Sequence, residues 1–280
     1  MTTISPIWFI TGASSGLGQT VAHAVLERGW KAVITARNTD RLAELSSGHG
    51  DRVLALTLDV TDKNSVDRAV RRAEEHFGAI DVLVNNAGYG YLAAIEEGTD
   101  QEIRAQFETN VFGLVEVTKH VLPGMRARRQ GHIFNLSSLG GLVAFAATGY
   151  YHATKFAVEG LSESLSLEVA PLGIKVTIVE PGAFRTDWAG RSMIESATVI
   201  DDYAETAGKR RQATRAVSGN QPGDPARAAA AIISAFEAEQ PPLRLLLGAP
   251  ALKIARERLD ALRANFDRWA DLTLSADFPA

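Results

Sequence analysis

A chain of 280 residues with 46% hydrophobic and 22% charged side chains has an ordinary soluble globular composition, away from the disordered and fibrous extremes. Its net charge of −4 gives no electrostatic support to a nucleic-acid partner. The lack of cysteine excludes a disulfide framework, a thiolate metal site and a cysteine nucleophile, and the six scattered histidines show no metal-ligand spacing, so no metal is expected.

The N-terminal stretch MTTISPIWFITGASSGLG has an apolar run of only four residues, no basic lead-in and glycines where a cleavage site would stand. It reads as the first strand of the fold, not as a targeting segment. No apolar run approaches the roughly 18 residues of a membrane span, which makes the cytoplasm the expected location. Short β-branched apolar runs recur at 7–10, 32–35, 53–58, 80–84, 132–136, 174–179 and 243–247. Helical stretches lie between them at 17–28, 41–45, 63–77, 100–128, 151–170 and 225–239. Strands alternating with helices predict an α/β fold of the Rossmann type, with one doubly wound, seven-stranded parallel sheet and helices on both faces, in a single domain over 1–280. Residues 183–220 have no clear period and run into the polar SGNQPGDP, too long for a plain connection, which predicts a substrate-binding lid. The C-terminal extension, 249–280, is helical in composition up to Trp269. Its Leu252, Ala255, Leu259, Leu262 and Phe266 stand at helical spacing, a stripe expected to pack.

ITGASSGLGQT follows the first strand and opens a helix, placing Gly12, Gly16 and Gly18 in the turn between them. Glycines there let the backbone approach a phosphate closely, and the helix N-terminus favours its charge; a tight turn without a ligand is the plain alternative. The second strand ends in ITARN, where an acidic residue would accept from the free ribose 2′-hydroxyl of NAD. Ala36 holds that place and Arg37 follows, which suits the 2′-phosphate of NADP. NADP(H) is the expected cofactor and NAD(H) the alternative, although Ser14 and Ser15 offer no second basic contact. Asp59 closes the third strand and either meets the adenine edge or, with Thr61, caps the next helix. NNAG (85–88) closes the fourth strand, with Asn86, Ala87 and Gly88 suited to a cofactor wall.

Asn110 lies inside a predicted helix, although asparagine competes there for backbone hydrogen bonds. Ser137 and Ser138 end the fifth strand at the carboxyl edge of the sheet, where open α/β folds bind ligands. A helix through YYHATK puts Lys155 one turn from Tyr151 on the same face and rotates it away from Tyr150. Tyr151 is therefore the candidate proton donor, and Tyr150 belongs to the pocket wall or the helix start. Ser138 as a hydrolase nucleophile would need a G-x-S-x-G elbow, which is absent, and His152 reads as a surface or pocket-wall residue.

TGASSGLG (11–18), NNAG, Asn110, Ser138, Tyr151-x-x-x-Lys155 and PGAFRT (181–186) together resemble the short-chain dehydrogenase/reductase family in its single-domain branch. ITARNTDRL, FETNVFG and VEPGAFRTDW are most similar to its 17β-hydroxysteroid-dehydrogenase-like members. The resemblance implies sheet order 3-2-1-4-5-6-7 and a catalytic set of Asn110, Ser138, Tyr151 and Lys155. It implies cofactor contacts from Gly12, Ser14, Ser15, Gly16, Leu17, Gly18, Arg37, Asp59, Val60, Asn86, Ala87, Gly88, Tyr151, Lys155, Pro181, Gly182 and Thr186. Hydride then passes between nicotinamide and a carbonyl or carbinol carbon, while Tyr151 transfers the proton and Ser138 holds the substrate oxygen. Lys155 positions the nicotinamide ribose, and Asn110 kinks its helix and holds a water that links Lys155 to solvent. A lysine about 5 Å from a phenol of ordinary pKa near 10 predicts a depression of about two units.

Leu139, Phe145, Tyr91 and Trp188, with Val143, Tyr89, Met193 and Ile194, are the expected substrate walls, suited to an apolar carbonyl or alcohol of steroid, retinoid or aromatic-ketone type, or else pack the lid onto the core. The basic run KRRQATR (209–215) offers charge to an acidic group, but reads first as a solvated face on a mobile lobe. Alternatives to an NADP(H)-dependent reductase are a non-catalytic NADP(H)-sensing protein, an NAD-dependent alcohol dehydrogenase of the same family, and an epimerase or dehydratase of the extended branch. The family also implies a homodimer or homotetramer through the helices at 100–128 and 151–170.

Overall fold

The computed structural model describes residues 5–190 and 192–278; the ends of the expected 1–280 domain and of the 249–280 extension lie outside them. In chain order the main elements are β1 (Ile7–Ile10), α1 (Gly16–Glu27), β2 (Lys31–Ala36), α2 (Ala43–Ser46), β3 (Val53–Thr57), α3 (Lys63–Phe77), β4 (Val82–Asn85), β5 (Gly90–Leu92), α4 (Asp100–Phe107) and α5 (Gly113–Arg128). They continue with β6 (Gly131–Leu136), α6 (Gly149–Val169), β7 (Ile174–Pro181), β8 (Met193–Glu195), α7 (Lys209–Ala216), α8 (Pro225–Glu237), β9 (Arg244–Leu247), α9 (Ala249–Arg268) and α10 (Ala270–Leu274). Seven of the strands form one parallel sheet in the order β3-β2-β1-β4-β6-β7-β9, which is the expected order once β5 and β8 are set apart.

The strands alternate between two cores. Trp8, Ile10, Ile34, Val84 and Phe134 face α1 and α8, where they meet Val21, Val25, Ala229 and Ile232. Phe9, Val33, Leu83 and Ile133 face α3 and α5, against Val66, Val70, Val117 and Val121. Burial of each such side chain contributes about 1.5–3 kcal/mol, which makes both faces apolar and leaves polar chemistry to the carboxyl edge. Asp62 caps α3 by accepting from the amide of Asn64, and Gly78 ends it at φ 88°.

Four expectations are corrected. The helix over 100–128 is three pieces, because a π-turn at Glu108–Phe112 interrupts it around Asn110. The segment 183–220 has structure of its own, with β8 pairing in parallel with β5, a π-turn at Ala204–Gly208, and α7. The cap of α3 is Asp62, while Asp59 instead accepts from the amide and hydroxyl of Thr61 at 2.9 and 2.7 Å. On α9, Ala251 and Ala255 pack against Leu139, but Leu252, Leu259 and Phe266 are exposed. No helix among the described residues is long and apolar enough to cross a membrane.

Candidate active site

A cavity of about 1330 Å³ opens along the carboxyl edge of the large sheet. Of the expected cofactor residues it is lined by Gly12, Ser14, Ser15, Gly16, Leu17, Arg37, Asp59, Val60, Asn86, Ala87, Gly88, Tyr151, Lys155, Pro181, Gly182 and Thr186. Gly12 and Gly16 hold φ of 67° and 61°, the left-handed region in which a side chain is strained. A Cβ on Gly12 would stand 3.0 Å from the Ala87 backbone. Gly18 does not line the cavity. A Cβ there would fall 2.3 Å from Asn86 Nδ2 and 2.7 Å from the Gly12 carbonyl, so this glycine lets α1 lie against the loop.

Asn86 braces that loop: Nδ2 donates to the carbonyls of Thr11 and Gly12 at 2.9 and 3.0 Å. Thr11, which sequence reasoning passed over, is buried, and its hydroxyl accepts from the amides of Asn86 and Ala87 at 2.9 and 3.0 Å. The loop is thus fixed before any ligand arrives. Ser15, at the N-cap of α1, makes no side-chain cap, and the first turn carries no acid. Its first amides and helix dipole have no resident anion, as a phosphate site requires.

Arg37 lines the cavity after β2, and Arg41 joins it from the turn that follows. Neither has a carboxylate partner among the described residues. Arg41 is a second cation beside Arg37 in the lining, and the sequence signal for it was present in NTDRL. Gly182 donates its amide to the Leu247 carbonyl at 3.0 Å, and the Thr186 hydroxyl accepts from the Trp188 amide at 3.3 Å.

Ser138, Tyr151 and Lys155 meet on the cavity wall. α6 begins at Gly149, so Tyr151 and Lys155 share a helical face, with Nζ 5.7 Å from the centre of the phenol ring. Nζ donates to the Leu136 carbonyl at 2.6 Å, which ties α6 to the end of β6. Ser138 Oγ accepts from the Gly140 amide at 3.0 Å. The expected depression of the tyrosine is corrected: burial pushes Tyr151 up to about 12, and the influence of the Ser138 hydroxyl only partly opposes it. Burial likewise lowers Lys155 to about 8 against the pull of Glu159. The phenol therefore carries its proton throughout the neutral range.

Asn110 is buried but does not line the cavity. Its Oδ1 accepts from the Tyr89 amide at 3.0 Å, while Nδ2 donates to the Tyr89 carbonyl at 2.9 Å and to Thr154 Oγ1 at 3.1 Å. Thr154 in turn donates to the Tyr151 carbonyl at 2.7 Å. The asparagine in the π-turn thus clasps the NNAG loop and the Tyr151 turn of α6, and π-turns inside helices commonly mark such functional positions.

Leu139, Phe145 and Trp188 line the cavity as expected, and the Trp188 ring stands 5.2 Å from that of Tyr151. Tyr91 is corrected: it is buried outside the cavity, where its hydroxyl donates to Glu102 at 2.7 Å, and Tyr89 takes the wall. Tyr150 also turns away and donates to the Ile95 carbonyl, which leaves it at the helix start and not on the wall. His152 is a wall residue. Its Nδ1 donates to the Gly140 carbonyl at 3.0 Å, so Nε2 accepts from Thr148 at 2.7 Å, and burial lowers its pKa to about 4. No cluster of metal-ligating side chains exists among the described residues.

A parallel sheet in this order, with a glycine loop, an unpaired cation after the second strand and a tyrosine–lysine turn at its carboxyl edge, defines a nucleotide-binding oxidoreductase fold. Residues 6–195 match the family model described as short chain dehydrogenase. Oxidoreductase BOA17 of Botryotinia fuckeliana is 42% identical over 98% of this chain and 100% of its own length. The 3-ketodihydrosphingosine reductase of Bacteroides thetaiotaomicron is 39% identical over 86% of this chain and 87% of its own. The crystal structure of a short-chain dehydrogenase from Streptomyces avermitilis superposes with a TM-score of 0.92, at 44% identity over 98% of this chain and 100% of that one. A Burkholderia cenocepacia short-chain dehydrogenase solved with NADP has a TM-score of 0.74, at 26% identity over 96% of this chain and 98% of that one. A Burkholderia phymatum protein solved with NAD, 23% identical over 95% and 97% of the two chains, shares the fold at a TM-score of 0.82. The chain belongs to the short-chain dehydrogenase/reductase family and is an oxidoreductase.

Proposed function

We propose that the protein is an NADP(H)-dependent oxidoreductase that interconverts a carbonyl and a secondary alcohol on a largely hydrophobic substrate, with Tyr151 as general acid/base. The observation that carries this reading is one continuous cavity that bears two unpaired arginines, Arg37 and Arg41, at its cofactor end and the Ser138–Tyr151–Lys155 cluster in its wall. NADPH, when bound, supplies the hydride. Gly12, Gly16, the uncapped start of α1 and the braced Asn86–Gly88 wall fit its phosphates and nicotinamide side, and Arg37 with Arg41 fits the 2′-phosphate.

In the direction of reduction, Tyr151 gives its phenolic proton to the substrate oxygen while Ser138 donates a hydrogen bond to that oxygen as its charge grows. The high pKa of the buried phenol makes it a reservoir for that proton in the free protein. Lys155, anchored on Leu136, keeps a positive charge near the phenol below about pH 8 and stabilises the phenolate that remains. Asn110 acts at one remove, by holding Tyr89 and Thr154. The segment 183–220 forms the lid, which brings Trp188 and the face of α7 over the cavity.

A panel of steroid, retinoid, aromatic and aliphatic carbonyls and alcohols, followed at 340 nm with both cofactors, tests the reading. Turnover with NADPH is expected, and binding of NADPH without turnover across the panel would overturn it. The exposed Phe156, Leu161 and Leu167 on α6, with Phe112 before α5, support the homodimer or homotetramer reading, against which a monomer by light scattering at micromolar concentration would count.

A further inference from the structure

The basic run KRRQATR is not a uniformly solvated face. Of its four cations, Lys209 pairs with Glu205, Arg211 with the buried Glu97, and Arg215 with Glu195. Arg210 has no carboxylate partner among the described residues and lines the cavity. It shares that face of α7 with Ala213, Thr214 and Val217, the i, i+3, i+4, i+7 spacing of one helical stripe. Its guanidinium lies 4.8 Å from the centre of the Phe145 ring. Phe145 stands 5.6 Å from His152, and His152 stands 5.8 Å from Tyr151, so a continuous row of rings connects the cation to the proton donor.

Arg37 and Arg41, the other two arginines of the cavity lining, follow β2, whereas Arg210 sits over residues that follow β6, three strands along the sheet. The 2′-phosphate end is therefore not where Arg210 lies. Arg210 is exposed, yet the protein beside it still desolvates the charge enough to lower its pKa. His152, the nearest titratable neighbour along the row, stays neutral and adds no second charge. The buried Arg211–Glu97 pair one residue on fixes α7, so the cation is held in place before a ligand enters.

We propose that Arg210 binds a carboxylate carried by the substrate at the end remote from its reacting carbonyl, so that the preferred substrates are amphiphilic oxo-acids or hydroxy-acids with an apolar body. The inference rests on the oxidoreductase reading above and names its substrate class. One guanidinium offers a two-toothed donor face and neutralises one negative charge, which matches a carboxylate better than a phosphate dianion. Phe145 lies under the guanidinium and attracts it through the face of its ring.

The test compares an aromatic oxo-acid, 5-oxo-5-phenylpentanoate, with its methyl ester in the wild type, Arg210→Met and Arg210→Lys. Arg210→Met keeps the apolar stem and removes only the charge and donors. Each compound is assayed for NADPH oxidation and for binding to the NADP-loaded protein, read by tryptophan fluorescence. The wild type is expected to favour the acid over the ester by about tenfold to a hundredfold in kcat/KM, with the preference lost in Arg210→Met and partly restored in Arg210→Lys. NADPH Kd should stay within about twofold in Arg210→Met. Equal use and binding of acid and ester by the wild type, or a preference that survives Arg210→Met, overturns the proposal. So does a loss of NADPH affinity that matches the loss of the acid, which would assign the cation to the cofactor. If neither compound turns over but the acid still binds in an Arg210-dependent way, the carboxylate site stands and the choice of reaction fails.

Discussion

Arg211→Met removes the guanidinium that faces Glu97 across the lid. The Glu97 side chain is fully buried, and its carboxylate accepts from the amides of Ala94 and Ile200 at 2.7 and 3.0 Å besides the arginine. Burial by itself would raise the Glu97 pKa, but the amides of Ile200 and Ala94 together with Arg211 hold it below the usual carboxylate range. Removing one partner from a buried ion pair costs about 3–5 kcal/mol; with two amide bonds left in place the lower end applies, about 3 kcal/mol. That amount multiplies the open population of the lid by about a hundredfold, since 1.4 kcal/mol is a factor of ten. Because α7 contributes little to the two cores, the cost should appear locally, as faster hydrogen exchange over 193–216 and faster tryptic cleavage within 209–215. Substrate KM should rise while NADPH Kd stays within a few-fold. Adding Glu97→Gln, which keeps an oxygen for one of the two amides and removes the stranded charge, should restore part of the protection. Unchanged exchange in α7, or a loss spread evenly through the sheet, would refute the argument.

Tyr151→Phe should lower turnover by about a hundredfold to ten-thousandfold with NADPH affinity within a few-fold, and retained turnover would remove Tyr151 from the proton-transfer role. Arg37→Ala should weaken NADPH by about tenfold more than NADH, with Arg41→Ala adding to it; an equal loss for both cofactors refutes the 2′-phosphate assignment. His132 is buried against Phe134, and burial lowers its pKa to about 3, so the folded protein holds it neutral while the unfolded chain takes a proton below about pH 6.5. Its contribution is lost as pH falls from about 6.5 towards 3, at about 1.4 kcal/mol per unit. Glu180, raised to about 7 by burial and the neighbouring Glu159, works in the opposite sense over about pH 7 to 4.5, so the measurement is a difference between proteins. Urea unfolding at pH 7 and pH 5 should show a fall in stability smaller by about 2 kcal/mol in His132→Gln than in the wild type, and identical falls would refute it.

All seven strands of the large sheet were legible as short β-branched runs, because a parallel sheet buried on both faces leaves such runs no other stable place. Tyr151, Lys155 and Ser138 were legible as spacing along one helix and one strand end. The π-turn at Glu108–Phe112 showed in the sequence only as an asparagine out of place, since its cause is tertiary: Tyr89 and Thr154 satisfy the side chain. The 183–220 segment gave no period because polar pairs reaching back to Glu97 and a three-residue strand hold it, and both leave no apolar rhythm. Alternation would put Tyr89 and Tyr91 on one face; Tyr89 precedes β5 and is held by Asn110, a tertiary contact that leaves no pattern in the sequence. The tyrosine pKa went the other way because spacing gives the distance to a charge and says nothing of how much water burial removes.

The pairing of β5 with β8 bears on how this chain can be recombined with its relatives. Residues 90–97 carry one strand of that pair, the Glu97 carboxylate that takes Ile200 and Arg211, and the carbonyl that takes the Ser196 hydroxyl. A chimaera that transplants 183–220 alone would set a foreign strand and foreign side chains in place of Arg211 and Ser196 against these partners. Transplanting 90–97 with it carries both halves of the seam, so the two stretches, some hundred residues apart in the chain, form one exchangeable cassette on an unaltered cofactor-binding frame.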